Sequence, residues 1–269
     1  MSAEAGPAAD PVGLVEAGLV AAWARQVSWI PGATFHRVGG VVVVLTGLAD
    51  QTQQVALAER DPDDPEAAVA AAEVLVRRAG WRPAFDLAAG AHPRLEAALG
   101  AAGFEVVGSR PAMVAPTRAR VLGPSRAVHA ASVTPPGLVI RAARPGDLPA
   151  LVALQSTAFT MAPRVAQGLV AEGIWRVRGV RVLVAELDGR VVGSAFVHLD
   201  RPAAGLVGVG VDAGVRRRGV GRALTEASLR AAASAGIEQM WLQSTPMGEA
   251  LYRSLGFRAV AEFRVWLAS

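Results

Sequence analysis

Val209-Gly210-Val211-Asp212-Ala213-Gly214-Val215-Arg216-Arg217-Arg218-Gly219-Val220-Gly221-Arg222 reads as a strand end, a short turn, and a helix that opens on two glycines spaced by one residue. The first turn of a helix carries unpaired N–H groups and a partial positive charge, which make it an anion site. Glycines let a pyrophosphate approach the backbone closely, and flanking arginines add charge-assisted hydrogen bonds. The stretch is therefore suited to a diphosphate; the plainer alternative is a solvated basic turn with helix-capping glycines. A Walker-type phosphate loop is excluded because the chain has no lysine, and the dinucleotide fingerprint fails because Gly219-x-Gly221 lacks a third glycine.

Working outward, Leu138–Arg141 reads as a short strand, and Gly146-Asp147 introduces a helix to about Ser156 with Leu148, Leu151 and Leu154 on one face. A helix follows around residues 163–171. Val180–Glu186 and Val191–Leu199 form a hairpin through Leu187-Asp188-Gly189-Arg190, where Asp-Gly is a strong turn signal. Gly205–Val211 is the strand before the arginine turn. Gly219 to about Ala235 is a helix, Gln239–Gln243 a strand, Gly248–Leu255 a short helix, and strand material runs on from Phe257.

The preceding part of the chain repeats most of this order. It reads as a helix near Leu14–Arg25, strands at Thr34–Val38, Val41–Leu45 and Gln53–Ala58, and a helix at Pro65–Arg78. A strand at Pro83–Leu87, a helix at Pro93–Ala101 and strands after Gly103-Phe104 complete it. The ends align without a gap, Glu96-Ala97 against Glu249-Ala250 and Gly103-Phe104 against Gly256-Phe257. A repeat of this length is a domain duplication rather than a solenoid unit. The expected division is a flexible tail over residues 1–10, a first domain over 11–118, a linker over 119–137 rich in Pro, Ser and Arg, and a second domain over 138–269.

The 269 residues are 52% hydrophobic and 19% charged, enough apolar material for two ordinary α/β domains. There is no cysteine, so no disulfide, thiolate metal site or cysteine nucleophile, and the scattered His36, His92, His129 and His198 offer no metal-ligand spacing. All 27 basic residues are arginine. The first 137 residues carry 11 Arg against 13 Asp and Glu, and the remainder 16 against 10. The second segment is thus basic, which suits an anionic ligand or an acidic partner. No basic, aromatic-interleaved stripe suggests nucleic acid. Val38–Ala49, the longest strongly apolar run, is too short to span a bilayer as a helix, and the N-terminus lacks a signal-peptide pattern. A cytoplasmic protein is expected.

Arg216-x-x-Gly219-x-Gly221, behind Val211-Asp212, resembles the acetyl-CoA signature of the GNAT superfamily, Gln/Arg-x-x-Gly-x-Gly/Ala. Ala250-Leu251-Tyr252-Arg253-Ser254-Leu255-Gly256-Phe257, about thirty residues on, resembles that family's second hallmark. The resemblance covers essentially all of 138–269. It implies an α/β fold of two tandem GNAT-like domains, each a mixed, mostly antiparallel sheet flanked by helices. It implies that the backbones of Val209, Gly210 and Val211 pair with a pantetheine arm, and that Arg216, Arg217, Arg218, Gly219, Val220, Gly221 and Arg222 wrap the pyrophosphate. Tyr252, the chain's one tyrosine, would reprotonate the departing thiolate. Thr245 stands where many members have Asn. In the first half Leu99 aligns with Tyr252, and Asp61-Pro62-Asp63-Asp64-Pro65 replaces the arginine–glycine turn, so that half is expected to be a degenerate, non-catalytic copy.

Members of the family often place a Glu on the strand before the phosphate loop, but Leu206–Val211 has no carboxylate. His198, sharing a strand face with Ser194, Phe196 and Asp200, is the candidate base, with Glu186 a weaker one. Phe159, Met161 and Trp175 fall where the acceptor is usually walled, whereas Trp241 reads as core. The expected activity is direct acyl transfer from acetyl-CoA to the amine of a small molecule, with no metal. The alternatives are an acyl group carried on a carrier protein, or a non-catalytic CoA-binding regulatory protein.

Overall fold

The computed structural model describes residues 10–118 and 134–269; the expected tail and most of the expected linker lie outside them. Among the described residues the first half contains α1 (Pro11–Val27), β1 (Thr34–Val38), β2 (Val41–Leu45), β3 (Gln54–Ala58), α2 (Pro65–Arg78), β4 (Ala84–Ala88), α3 (Pro93–Ala101) and β5 (Phe104–Pro116). The second half contains β6 (Val139–Ala142), α4 (Leu148–Ala158), α5 (Pro163–Leu169), β7 (Val180–Leu187), β8 (Arg190–His198) and β9 (Ala203–Val211). It continues with α6 (Val220–Ser234), β10 (Gln239–Gln243), α7 (Pro246–Ser254) and β11 (Arg258–Ala268).

Local chemistry explains many of the boundaries. The Asp10 carboxylate accepts from Val12 N and Gly13 N, and Asp64 accepts from Ala67 N, each with proline at the first helical position. The β7–β8 hairpin turns on Asp188 and Gly189 at φ 51° and 74°, the left-handed pair that a two-residue hairpin turn requires.

The two halves share one sheet, ordered β1-β2-β3-β4-β11-β5-β10-β9-β8-β7-β6 and mostly antiparallel. The two parallel contacts are β3 with β4 and β9 with β10. The final strand of each half pairs with the other half: β11 lies between β4 and β5, and β5 lies between β11 and β10. The expected strands after Phe104 are thus one 13-residue strand whose second part, Ala112–Ala115, is buried at the junction. The two halves are therefore joined through exchanged strands rather than by contact between separately closed sheets. A buried polar cluster reinforces the junction. Arg110 on β5 pairs with Asp86 on β4 and donates to Gln243 Oε1 on β10 at 2.9 Å. Burial raises the Asp86 pKa, opposed by the Arg110 charge.

Around β6–β9 one face packs on α6 and α7 through Leu183, Ala185, Leu206, Leu224 and Tyr252. The other face carries α4 and α5. Helix α1 of the first half crosses onto this second face, where Leu14, Val15 and Leu19 join Ala203 and Trp241 in one core. Gly18 makes this close approach possible, because a Cβ there would lie 2.2 Å from Trp241 Nε1. Trp241 is core, as its strand position suggested, and its packing seats α1 over the end of the β9–β10 contact.

Candidate active site

β9 and β10 pair only over Ala203–Gly205 and Gln239–Trp241. Beyond Gly205 and Trp241 the parallel ladder ends, leaving Leu206–Val211 with no ladder partner on the β10 side. Trp241 packs over the sheet at this point: a Cβ on Gly205 would lie 2.5 Å from its ring.

β9 also departs from regular pairing with β8. Ser194 faces Gly210, but Phe196 faces Val207, so Gly208 and Val209 stand opposite Ala195 alone. This β-bulge turns on Gly208 at φ 60°. Gln155 of α4, buried at 6% exposure, holds it: Nε2 donates to Ser194 Oγ and to the Gly208 carbonyl, both at 2.9 Å. The sequence reading missed Gln155, although an amide beside Leu151 and Leu154 on an otherwise apolar helix face was its available signal. The bulge aims the backbone of Val209 and Gly210, two of the expected binding residues, along the edge where β10 departs.

The arginine turn follows. Asp212 caps a 3-10 turn over Ala213–Val215 by accepting from Gly214 N at 2.8 Å. Arg217 at φ 64° and Gly219 at φ 81° then reverse the chain into α6. Gly219 has no side chain to cap α6, so the N–H groups of the first turn, including Val220, Gly221 and Arg222, have no side-chain acceptor from it. The expected arginines divide into two sets. Arg217 and Arg218 are exposed, while Arg216 donates through Nε to the Val211 carbonyl at 3.0 Å and braces the turn. Arg222 donates to Ser254 Oγ at 2.7 Å and lies 3.5 Å from Glu226, so its side chain links α6 to α7.

Tyr252 sits on α7 in the core shared with α6, edge-on to Phe257 with ring centroids 5.7 Å apart. Gly248, one turn earlier, leaves room for the ring, since a Cβ there would lie 2.9 Å from Tyr252 Cε2. Burial pushes the phenol pKa up to about 12. Thr245 precedes α7 and makes no capping hydrogen bond with its side chain.

On the opposite face His198 and Phe196 of β8, with Val207 and Gly208 of β9, border a cavity of about 220 Å³. Phe159 and Met161 line it as expected, whereas Trp175 does not. Gln155, Leu169 and Val170 add to the wall from the second half, and the first half contributes Trp23, Gln26, Trp29 and Gln53, none of which the sequence reading singled out for the site. Trp29 Nε1 donates to the Leu169 carbonyl at 3.0 Å, and its ring stands 6.3 Å from the His198 ring. His198 is 2% exposed, and its Nδ1 has no partner among the described residues. Burial, and then the Arg25 charge, lower its pKa to about 4, so it is neutral at pH 7 and far weaker as a base than the sequence suggested. Asp200 is ion-paired with Arg25. Glu186 is engaged by Arg141, which also binds Asp147.

In the first half the equivalent positions are filled differently. The Asp64 side chain occupies the N-terminus of α2, and Leu99, on a helix of the same nine-residue length as α7, is fully buried. Asp61 and Glu16 both bond the His92 ring, whose pKa rises to about 9, chiefly through the Glu16 hydrogen bond.

Residues 178–259 match the family model for the acetyltransferase (GNAT) domain. No curated protein sequence matches the chain. Among solved structures, the chain is similar to a GCN5-related N-acetyltransferase from Kribbella flavida, with a TM-score of 0.73 and 19% identity over 97% of this chain and 96% of that one. It is also similar to a GNAT-family protein from Novosphingobium aromaticivorans, with a TM-score of 0.56 and 20% identity over 95% and 97%. A conserved protein of unknown function from Staphylococcus epidermidis has a TM-score of 0.58 and 13% identity over 89% and 95%. These likenesses show a shared fold over nearly the whole chain. No helix among the described residues is long and apolar enough to cross a membrane, and no group of three or more metal-ligating side chains occurs among them.

Proposed function

We propose that the second half transfers an acyl group from acetyl-CoA, or another coenzyme A thioester, directly to an amine, and that the first half does not itself catalyse. The observation that carries this reading is the contrast between two helix N-termini: Gly219 leaves that of α6 without a side-chain cap, while Asp64 fills that of α2. An uncapped, arginine-flanked helix start receives a diphosphate; a carboxylate at the same place repels one.

In this reading the α6 turn holds the pyrophosphate through the backbone of Gly219–Arg222, with Arg217 and Arg218 outside it. The pantetheine arm lies along Val209–Val211, where β10 has departed, and brings the thioester to the bulge at Gly208. The acceptor nitrogen approaches from the cavity and forms the N–C bond. The C–S bond then breaks, and the thiolate leaves towards Tyr252.

The raised Tyr252 pKa refines its part. Burial that raises the phenol pKa disfavours complete proton transfer to a thiolate, whose thiol ordinarily ionises near pH 8.5. Tyr252 therefore acts as a hydrogen-bond donor that stabilises charge developing on sulfur. The proton lost by the amine balances the one gained by the thiolate. No covalent acyl-enzyme is needed.

Calorimetric titration of the whole chain with acetyl-CoA and with free CoA tests the reading. One site per chain, lost in Gly219→Asp, is expected. Two sites would overturn the non-catalytic role of the first half. Absence of both ligands would sink free coenzyme A as the donor carrier and leave a carrier-protein thioester or a non-catalytic module.

A further inference from the structure

Building on the acyl-transfer reading, we infer that the acceptor is a ring-sized apolar amine taken up as its uncharged free base, and that Trp23, Gln26 and Trp29 of the first half select it. The cavity between α1, α4, β8 and β9 holds about 220 Å³. Cavities of about 150 Å³ already admit a benzene ring, so one ring with a short amine arm matches the space. The walls present four aromatic rings, those of Trp23, Trp29, Phe159 and Phe196, together with Met161 and Leu169.

Charge decides the form in which the amine binds. None of the lining residues is Asp, Glu or Arg. The nearby charges are Arg25 on α1 and Asp200 after β8, which neutralise one another in an ion pair. No charged side chain of α4, α5, β7 or β9 borders the cavity. An ammonium entering it would lose water and find no counter-charge, and that desolvation favours the neutral amine. A free base needs one hydrogen-bond partner. Gln26, Gln53 and His198 border the cavity and offer one. Gly208, which also borders it, is the bulge to which the proposed mechanism brings the thioester.

The first half thereby acquires a role that its lost motifs do not suggest. Trp241 seats α1 on the sheet, and α1 then closes the acceptor side of the other half's site.

The test uses the full chain and two readouts. Tryptophan fluorescence is titrated with benzylamine, spermidine and tetramethylammonium between pH 7 and 10.5, and acetylation of benzylamine, spermidine and lysine is followed with acetyl-CoA. Benzylamine should quench saturably, with affinity rising about tenfold per pH unit until the amine's own pKa. Trp23→Ala should weaken benzylamine at least tenfold without changing acetyl-CoA affinity. Gln26→Glu, which keeps the aromatic wall, should flatten the pH dependence by supplying a counter-charge. Tighter benzylamine binding at pH 7 than at pH 10, competition by tetramethylammonium, no saturable quenching, or preferential acetylation of spermidine or lysine would each overturn the inference. Acetyl-CoA turnover with charged acceptors alone would refute this inference and spare the donor reading. Benzylamine binding of the expected kind without acetyl-CoA binding would do the reverse.

Discussion

Replacing Gln155 with Met separates the architecture of the site from its general stability. Met has nearly the volume of Gln, so the cavity term is small. What disappears is one amide that bonds both Ser194 Oγ and the Gly208 carbonyl at 2.9 Å. Two hydrogen bonds contribute about 1 kcal/mol each, and a buried group left without a partner adds a further 1–3 kcal/mol. Ser194 is fully buried, so the sum expected for Gln155→Met is about 3–5 kcal/mol. The second substitution Ser194→Ala, made in the Met background, removes the stranded hydroxyl and should return about 1 kcal/mol. Urea unfolding of the wild type, both single variants and the double variant gives this cycle directly. Loss of the staple also frees the bulge that aims Val209 and Gly210, so acetyl-CoA affinity should fall several-fold in Gln155→Met. A stability change below about 0.5 kcal/mol together with unchanged acetyl-CoA affinity would refute the reasoning.

Three further outcomes follow from other parts of the molecule. His92, whose folded pKa is raised to about 9 from 6.5, contributes stability that is complete below pH 6.5 and lost as pH rises through 9. The wild type's advantage over His92→Gln, about 1–2 kcal/mol because Asp61 is largely exposed to solvent, should therefore vanish between those values in urea midpoints measured from pH 6 to 10. A fragment of residues 138–269 leaves β10 and β11 without β5 and should show no cooperative unfolding by circular dichroism; a sharp transition would show that the exchanged strands are dispensable. His198→Gln should leave no missing ionisation in the pH–rate profile between 6 and 7, because the imidazole is already neutral there; loss of a limb in that range would restore His198 as the base.

Element positions were largely legible because local chemistry fixes them. Asp64-Pro65 starts α2 where capping rules place it, and Val41–Leu45 and Gln239–Gln243 have the expected bounds. The exchange of β5 and β11 was not legible. Both strands follow equivalent short helices, and an apolar pattern specifies a buried face without naming the neighbour. The arginine–glycine turn announced itself because its residues are contiguous. The cavity did not, because Trp23 and Trp29 lie in the half read as a separate domain, and α1 brings them to the cavity by packing Gly18 on Trp241 and bonding Trp29 to Leu169. The misjudged basicity of His198 has the same origin: its burial depends on those remote residues. The bulge was hidden by the Gly-Val alternation of β9, which fits a regular strand equally well.

The central claim is that Tyr252 assists departure of a coenzyme A thiolate from a site in the second half. Single-turnover acetylation by Tyr252→Phe, measured beside the calorimetric affinity of the same variant for acetyl-CoA, tests it most directly. The account predicts a rate at least 100-fold lower with affinity changed less than about threefold, since the ring remains packed on Phe257. An unchanged rate with intact affinity would contradict it.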